Sequence, residues 1–241
     1  MISKNEIKYI QSLSHKKTRD EEEVFIAEGA KVIGEFVTAG WFLEHLYYTD
    51  ADLPQILPSR KTQVTDAELQ KMSALTTANN CLAIFRMPDE KPIAQSGLIV
   101  ALDDIRDPGN LGTIIRLCDW FGISQLVCSK ETAELYNPKV VQATMGSMTR
   151  VNVNYVDLIG FLSATKLPVF GTFMDGENIY AQTLPDAGVI VLGNEANGIS
   201  TGVGALCLNR IAIPRFGTLQ QTESLNVASA TAIVLSEFRR N

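Results

Sequence analysis

From Gly97 onward the chain repeats one pattern: a short, near-continuous run of Val, Ile and Leu, then a turn, then a stretch with apolar residues at helical spacing. The apolar runs at 98–102, 125–128, 151–155, 168–173, 189–192 and 210–213 predict strands. The stretches at 111–119, 138–145, 157–165 and Val227 to Phe238 predict helices. Strands apolar on both faces and separated by helices make a parallel sheet covered on both sides.

The first 90 residues repeat the alternation on a smaller scale. Ser3 and Glu6 have capping-box spacing, and Ile2 and Ile7 are placed as a hydrophobic staple, so a helix starts at Lys4 and buries Ile7, Ile10 and Leu13. Ser14 to Arg19 reads as a solvated loop and Val24 to Ala27 as a short buried strand. A helix with Val32, Ile33, Phe36 and Val37 on one face ends at Gly40. Strands follow at 46–49, 62–64 and 81–86, with a helix opened by the Thr65–Glu68 capping box between the last two. Met87 to Ser96 has two prolines and no periodicity, the composition of a linker. The chain therefore divides into a small α/β domain over 1–90, a linker over 91–97 and a parallel-sheet domain over 98–241.

Composition narrows the class. Hydrophobic residues at 46% and charged residues at 20% fit a globular protein. No apolar run approaches the ~18 residues of a membrane span, and the charged opening Ser3 to Lys8 is unlike a signal peptide. The four cysteines lack CxxC spacing and read as reduced core thiols, which points to the cytoplasm. Only His15 and His45 are present, without HExxH, so no metal site is expected. Net charge is −6, yet Lys4, Lys8, Lys16, Lys17 and Arg19 face only Glu6 before the acidic run at 20–23. A local phosphate-binding patch is compatible with the acidic total.

Chemistry concentrates in three turns that follow strands. Asp107-Pro-Gly-Asn-Leu-Gly112 opens a helix in which Asn110 reads as the N-cap, Gly112 allows close backbone approach, and Arg116 lies two turns on, partly tucked among Ile114, Ile115, Leu117 and Trp120. Leu192-Gly-Asn-Glu-Ala-Asn-Gly198 follows the 189–192 run. Ile213-Pro214 and then Ser224-Leu-Asn226 lead into the last helix, whose N-terminus concentrates backbone donors. Taken singly, the first reads better as an N-capped amphipathic helix, the second as a turn after a buried strand, and Ser224 and Asn226 as caps. Ligands of parallel sheets bind beyond the strands' carboxyl ends, where all three turns fall, so the turns are expected to meet at one site. Neither GxGxxG nor GxxxxGK[ST] occurs, which removes the phosphate cradles of dinucleotide-binding and P-loop proteins.

Together and in this order the stretches Asp107 to Arg116, Leu192 to Gly198 and Ile213-Pro214 with Ser224 to Val227 resemble the three motifs of the SpoU (TrmH) family. That family, within the SPOUT superfamily, comprises S-adenosylmethionine-dependent RNA 2'-O-ribose methyltransferases. Asn137 to Ser147 is similar to the helix between its first two motifs, and residues 1–90 resemble the RNA-binding domain that precedes the catalytic one. The resemblance implies a C-terminal domain tied in a deep trefoil knot, a homodimer, and a ribosomal or transfer RNA substrate. It assigns catalysis to Asn110, Arg116, Glu195, Ser224 and Asn226. Leu192, Gly193, Asn194, Gly198, Ile213, Pro214 and Leu225 would bind the cofactor, and Lys4, Lys8, Lys16, Lys17 and Arg19 the RNA. The alternative is a non-catalytic RNA-binding or ribosome-assembly protein on the same fold.

Overall fold

The computed structural model describes residues 2–50, 53, 56–218 and 224–240. Of the connection expected over 215–223, residues 219–223 lie outside those described. The chain forms two compact units, residues 1–90 with 134–149, and 91–133 with 150–241.

The first unit opens with α1 (Lys4–Ser12), capped by the Ser3 hydroxyl, which accepts from the Glu6 N–H at 3.1 Å. The Glu6 carboxylate accepts from the Tyr47 hydroxyl at 2.7 Å, so the expected box is half formed and its acid ties the helix to the sheet. The segment expected to be a solvated loop is largely a helix, α2 (Lys16–Glu22), closed by Glu23 in the left-handed region at φ 54°. Its organising residue is Arg19, 1% exposed, whose Nη1 donates to the carbonyls of Leu13 and Ser14, each at 2.9 Å. The other end of the Arg19 guanidinium is ion-paired with Glu134.

The strands β1 (Val24–Glu28), β2 (Leu43–Tyr48), β3 (Lys61–Gln63) and β4 (Cys81–Arg86) form a mixed sheet in the order β1-β4-β2-β3, with α3 (Ala30–Thr38) and α4 (Asp66–Met72) beside it. The Thr65–Glu68 capping box is complete. Alternation along β1 separates two cores. Val24 and Ile26 pack with Ile10, Leu13, Leu69 and Leu82. Phe25 points the other way into an aromatic cluster, its ring centroid 5.5 Å from Phe36, 5.8 Å from Phe85 and 5.0 Å from Tyr136.

In the second unit β5 (Leu98–Asp103) leads through α5 (Pro108–Trp120) to β6 (Gln125–Ser129). Then α6 (Pro138–Thr144), which belongs to the first unit, precedes β7 (Asn152–Val156) and α7 (Leu158–Ala164). β8 (Val169–Asn178), β9 (Gly188–Gly193), α8 (Thr201–Gly204), β10 (Asn209–Ala212) and α9 (Val227–Phe238) complete it. The six strands run in the order β10-β8-β9-β5-β6-β7 and every pairing is parallel. One face packs Ile99, Ala101, Val189 and Val191 against Leu158 and Leu162 of α7 and Val203 of α8. On the other face Phe170 of β8 meets Phe238 of α9 edge to face at 5.2 Å. The chain builds outward from β5 through β6 to β7, then resumes on the far side of β5, so the order reverses between β5 and β9. That reversal is where open parallel sheets bind ligands.

Candidate active site

The helix α5 begins three residues earlier than its apolar pattern suggests. Pro108 takes the first helical position, where its missing N–H costs nothing and its φ is already set. Asp107 rather than Asn110 is therefore the N-cap, its carboxylate accepting from the Asn110 N–H at 2.8 Å. The correction matters chemically, because Asn110 lies within the first turn with its side chain free to leave the helix. Its amide donates to the Glu195 carboxylate, and its Oδ1 accepts from the Asn226 amide at 3.0 Å. Asn226 in turn caps α9, its Oδ1 accepting from the N–H groups of Ala228 at 3.0 Å and Ser229 at 3.2 Å. One residue from each of the three turns is thus joined in a single chain of bonds, and both polar atoms of Asn110 and of Asn226 are committed. Only one Glu195 oxygen is bonded; the other has no partner among the described residues.

The turn carrying Glu195 is fixed from two sides. Gly193 ends β9 beside Asp103 of β5, and a Cβ on Gly193 would lie 2.2 Å from the Gly198 carbonyl carbon, so no larger residue fits. Gly198 closes the loop at φ 69°, donating from its N–H to the Asn194 carbonyl at 2.8 Å. The Asn194 side chain accepts from the Ala196 N–H at 2.9 Å and donates to the Asp104 carbonyl at 2.7 Å. Asp103, 6% exposed, accepts from the Ser200 N–H at 2.7 Å.

The motif reading missed Asp103 and Asp104, and it quoted Asp107 without giving it a role. Asp107 was marked by the Asp-Pro pair, the usual helix-start signal. Asp103 and Asp104 were marked only as acids ending an apolar run, and Asp104 adopts φ 60°, uncommon for a residue with a side chain.

Arg116 stands outside this network. It is exposed rather than tucked among Ile114, Ile115, Leu117 and Trp120, and its guanidinium has no partner among the described residues. Gly109, Thr113, Arg116 and Trp120 form the exposed stripe of α5, with Trp120 84% exposed. Ser224 is exposed two residues before Asn226. Around the turns Leu192 is buried, Gly193, Asn194, Ile213 and Pro214 are half-buried, and Leu225 is 49% exposed.

Lys4, Lys8, Lys16 and Lys17 are exposed, and Lys17 lies 3.8 Å from Glu21. Arg19 does not belong with them. Its guanidinium is buried and already bonded, so it organises the first unit and is not a phosphate contact. The four cysteines are free and buried. Burial pushes the Cys81 and Cys207 thiols up to about 11 and raises Cys118 and Cys128 as well, so none supplies a thiolate. No helix among the described residues is long and apolar enough to cross a membrane.

Polar turns gathered where the strand order of a parallel sheet reverses are the mark of an α/β ligand-binding enzyme. Residues 97–236 match the SpoU rRNA methylase family, and residues 4–83 match the MRM3-like substrate binding domain. The 23S rRNA (guanosine(2553)-2'-O)-methyltransferase of Bacillus subtilis is 28% identical over 241 residues, 97% of this chain and 95% of that one. A TrmH-family protein from Porphyromonas gingivalis has a solved structure that superposes with a TM-score of 0.89 at 36% identity, covering 100% of this chain and 99% of the other. The AdoMet-bound rRNA methyltransferase of Sinorhizobium meliloti superposes at 0.85 with 29% identity, covering 100% and 97%. The chain belongs to the SpoU rRNA methylase family.

Proposed function

We propose that this chain transfers the methyl group of S-adenosylmethionine to a ribose 2'-hydroxyl of ribosomal RNA. The observation that carries the reading is the bonded series Glu195, Asn110 and Asn226 at the sheet's reversal point, in a member of this family. A protein that only bound RNA would have no need of a carboxylate held by one oxygen with the other left open, which disfavours the non-catalytic alternative. Ribosomal rather than transfer RNA is favoured by the relatives, among them the Bacillus subtilis and Sinorhizobium meliloti rRNA methyltransferases.

The cofactor would be held by Leu192, Gly193, Asn194, Gly198, Ile213, Pro214 and Leu225. Their chemistry suits it: Ile213 and Leu225 offer partly open apolar faces to a base, and the exposed Gly198 offers backbone unobstructed by a side chain. When bound, S-adenosylmethionine supplies an electrophilic methyl group on a sulfonium. What the chain must add is the position of the ribose hydroxyl and a way to lose its proton. Arg116, exposed and without a partner among the described residues, anchors the adjoining phosphate and steadies the developing alkoxide, and that phosphate or a water takes the proton. Ser224 orients the hydroxyl. Asn226, whose amide is already committed, holds Asn110 and through it Glu195.

The first unit, residues 1–90 completed by 134–149 rather than 1–90 alone, serves as the RNA-binding domain, with Lys4, Lys8, Lys16 and Lys17 on phosphate, and the second, which takes in the expected linker 91–97, as the catalytic domain. The C-terminal segment is threaded as the family's trefoil knot, and the protein works in the cytoplasm. Ribosomal RNA from cells lacking this protein, incubated with it and S-adenosylmethionine, is expected to gain a single position resistant to alkaline cleavage. A methylated 2'-oxygen cannot attack its own phosphate. An unchanged cleavage ladder would count against the reading.

The active form is a homodimer. α5 and α9 lie side by side, the Arg239 Nε donating to the Phe121 carbonyl at 3.0 Å, and Trp120 and Ser229 remain open on them. Trp120, open at the end of α5, suits contact with a second copy of the same helices. Ala228 does not contribute to that surface, because it is buried within its own unit. Light scattering should return twice the chain mass for the unmodified protein and a single-chain mass for Trp120→Asp. A unit mass for both would rule the dimer out.

A further inference from the structure

The first unit carries an aromatic ring that its cores leave outside. Phe42, immediately before β2, is 43% exposed. Two guanidinium groups lie over its ring, the Arg60 Cζ 4.4 Å and the Arg86 Cζ 4.7 Å from the centroid. Both are anchored: the Arg60 Nη1 donates to the Leu43 carbonyl at 2.8 Å, and Arg86 is ion-paired with Glu44. Next in the chain, the Lys61 ammonium lies 6.0 Å from the Tyr48 ring centroid. Two cations therefore flank the Phe42 ring, one of them paired with Glu44. A single exposed Phe is ordinary, but one with two tethered guanidiniums against its ring is a prearranged aromatic and cationic surface.

We infer that Phe42, Arg60 and Arg86 form a stacking platform for an unpaired nucleotide of the RNA substrate. This rests on the rRNA methyltransferase reading and adds to it where a single-stranded part of the RNA is held. RNA readers take unpaired bases on aromatic rings and on arginine planes. Guanidinium N–H groups not already bonded to protein donate to the flanking phosphates. Because carbonyl and carboxylate tethers already hold the arginines, little side-chain freedom remains to be lost on binding. A duplex keeps its base faces stacked internally and offers nothing to Phe42. Arg86 also borders a cavity of about 600 Å³ lined by Tyr9, Glu22, Glu23 and Glu44, whose carboxylates repel phosphate.

The test compares binding of a fluorescein-labelled oligoadenylate with that of an RNA duplex of equal length. Phe42→Ala should weaken oligoadenylate binding by at least about fivefold. Phe42→Leu, which keeps an apolar side chain of similar volume but has no ring, should act in the same direction, and duplex binding should change by less than about twofold. Arg60→Gln and Arg86→Gln should each flatten the salt dependence by about 0.7 in slope. Oligoadenylate affinity unchanged in both Phe42 variants, or no oligoadenylate binding by the unmodified protein, overturns the platform. Calorimetry with S-adenosylmethionine on the same samples separates the two readings: binding heat there leaves methyl transfer standing, and its absence from the unmodified protein removes that reading as well.

Discussion

Arg116→Ala is expected to lower turnover by on the order of 100-fold or more while leaving S-adenosylmethionine affinity and thermal stability close to those of the unmodified protein. The asymmetry follows from where Arg116 stands. It is exposed on α5 and makes no bond among the described residues, so its removal strands nothing in the fold. An interaction strongest with the developing alkoxide is lost from the transition state and hardly at all from the ground state. Lysine should recover only part of the rate, because a point charge lacks the two-pronged geometry that engages phosphate and hydroxyl together. The pH profile distinguishes anchoring from proton abstraction. If residue 116 were the obligatory base, Arg116→Lys would climb steeply with pH and reach the unmodified enzyme's rate near pH ~10, where lysine loses its proton. A flat, partial recovery supports the anchoring role.

Arg19→Ala should have the largest effect on stability, a loss of about 3–5 kcal/mol, the range for removing one partner of a buried ion pair. The substitution leaves Glu134 without its cation and strips the Leu13 and Ser14 carbonyls of their donors. The corresponding fall in melting temperature is on the order of 10 °C. Arg19→Met combined with Glu134→Gln should recover a good part of that loss, because it removes both charges and keeps the packing volume. Lys16→Ala, one turn earlier and exposed, serves as the control. Should Arg19→Ala melt within about a degree of the unmodified protein, the anchoring role would be wrong.

Arg19 also shows where a sequence stops being legible. In the primary structure it is one of several cations ahead of an acidic run, and nothing local distinguishes it from Lys16 or Lys17. Its bonds to Leu13 and Ser14 are local, but its ionic partner Glu134 lies 115 residues away, and that pairing is set by tertiary contact. Features with local causes were readable. The Thr65–Glu68 box, the strands of the parallel sheet and the helix from Val227 to Phe238 follow from capping chemistry and periodicity. The three turns were readable as a group because each follows a strand of one sheet. What could not be read was which polar atoms bond to which. Asn110 seemed to be the cap while Asp107 held that place, and a one-turn difference decided whether the Asn110 amide served the backbone or reached Glu195.

The membership of residues 134–149 in the first unit bears on how the protein is made. A nascent chain emerges from its amino end, and domains generally fold as they are completed. Here the first unit is incomplete when residue 90 has been added, because Glu134, the partner of Arg19, and Tyr136, which packs on Phe25, come later. Synthesis must run from residue 90 to residue 149, about 60 residues further, before that unit has all its parts. At translation rates of about 5–20 residues per second this is a wait of roughly 3–12 seconds. During it an unpaired guanidinium and an uncovered aromatic face remain open to solvent, and to any chaperone at the ribosome exit.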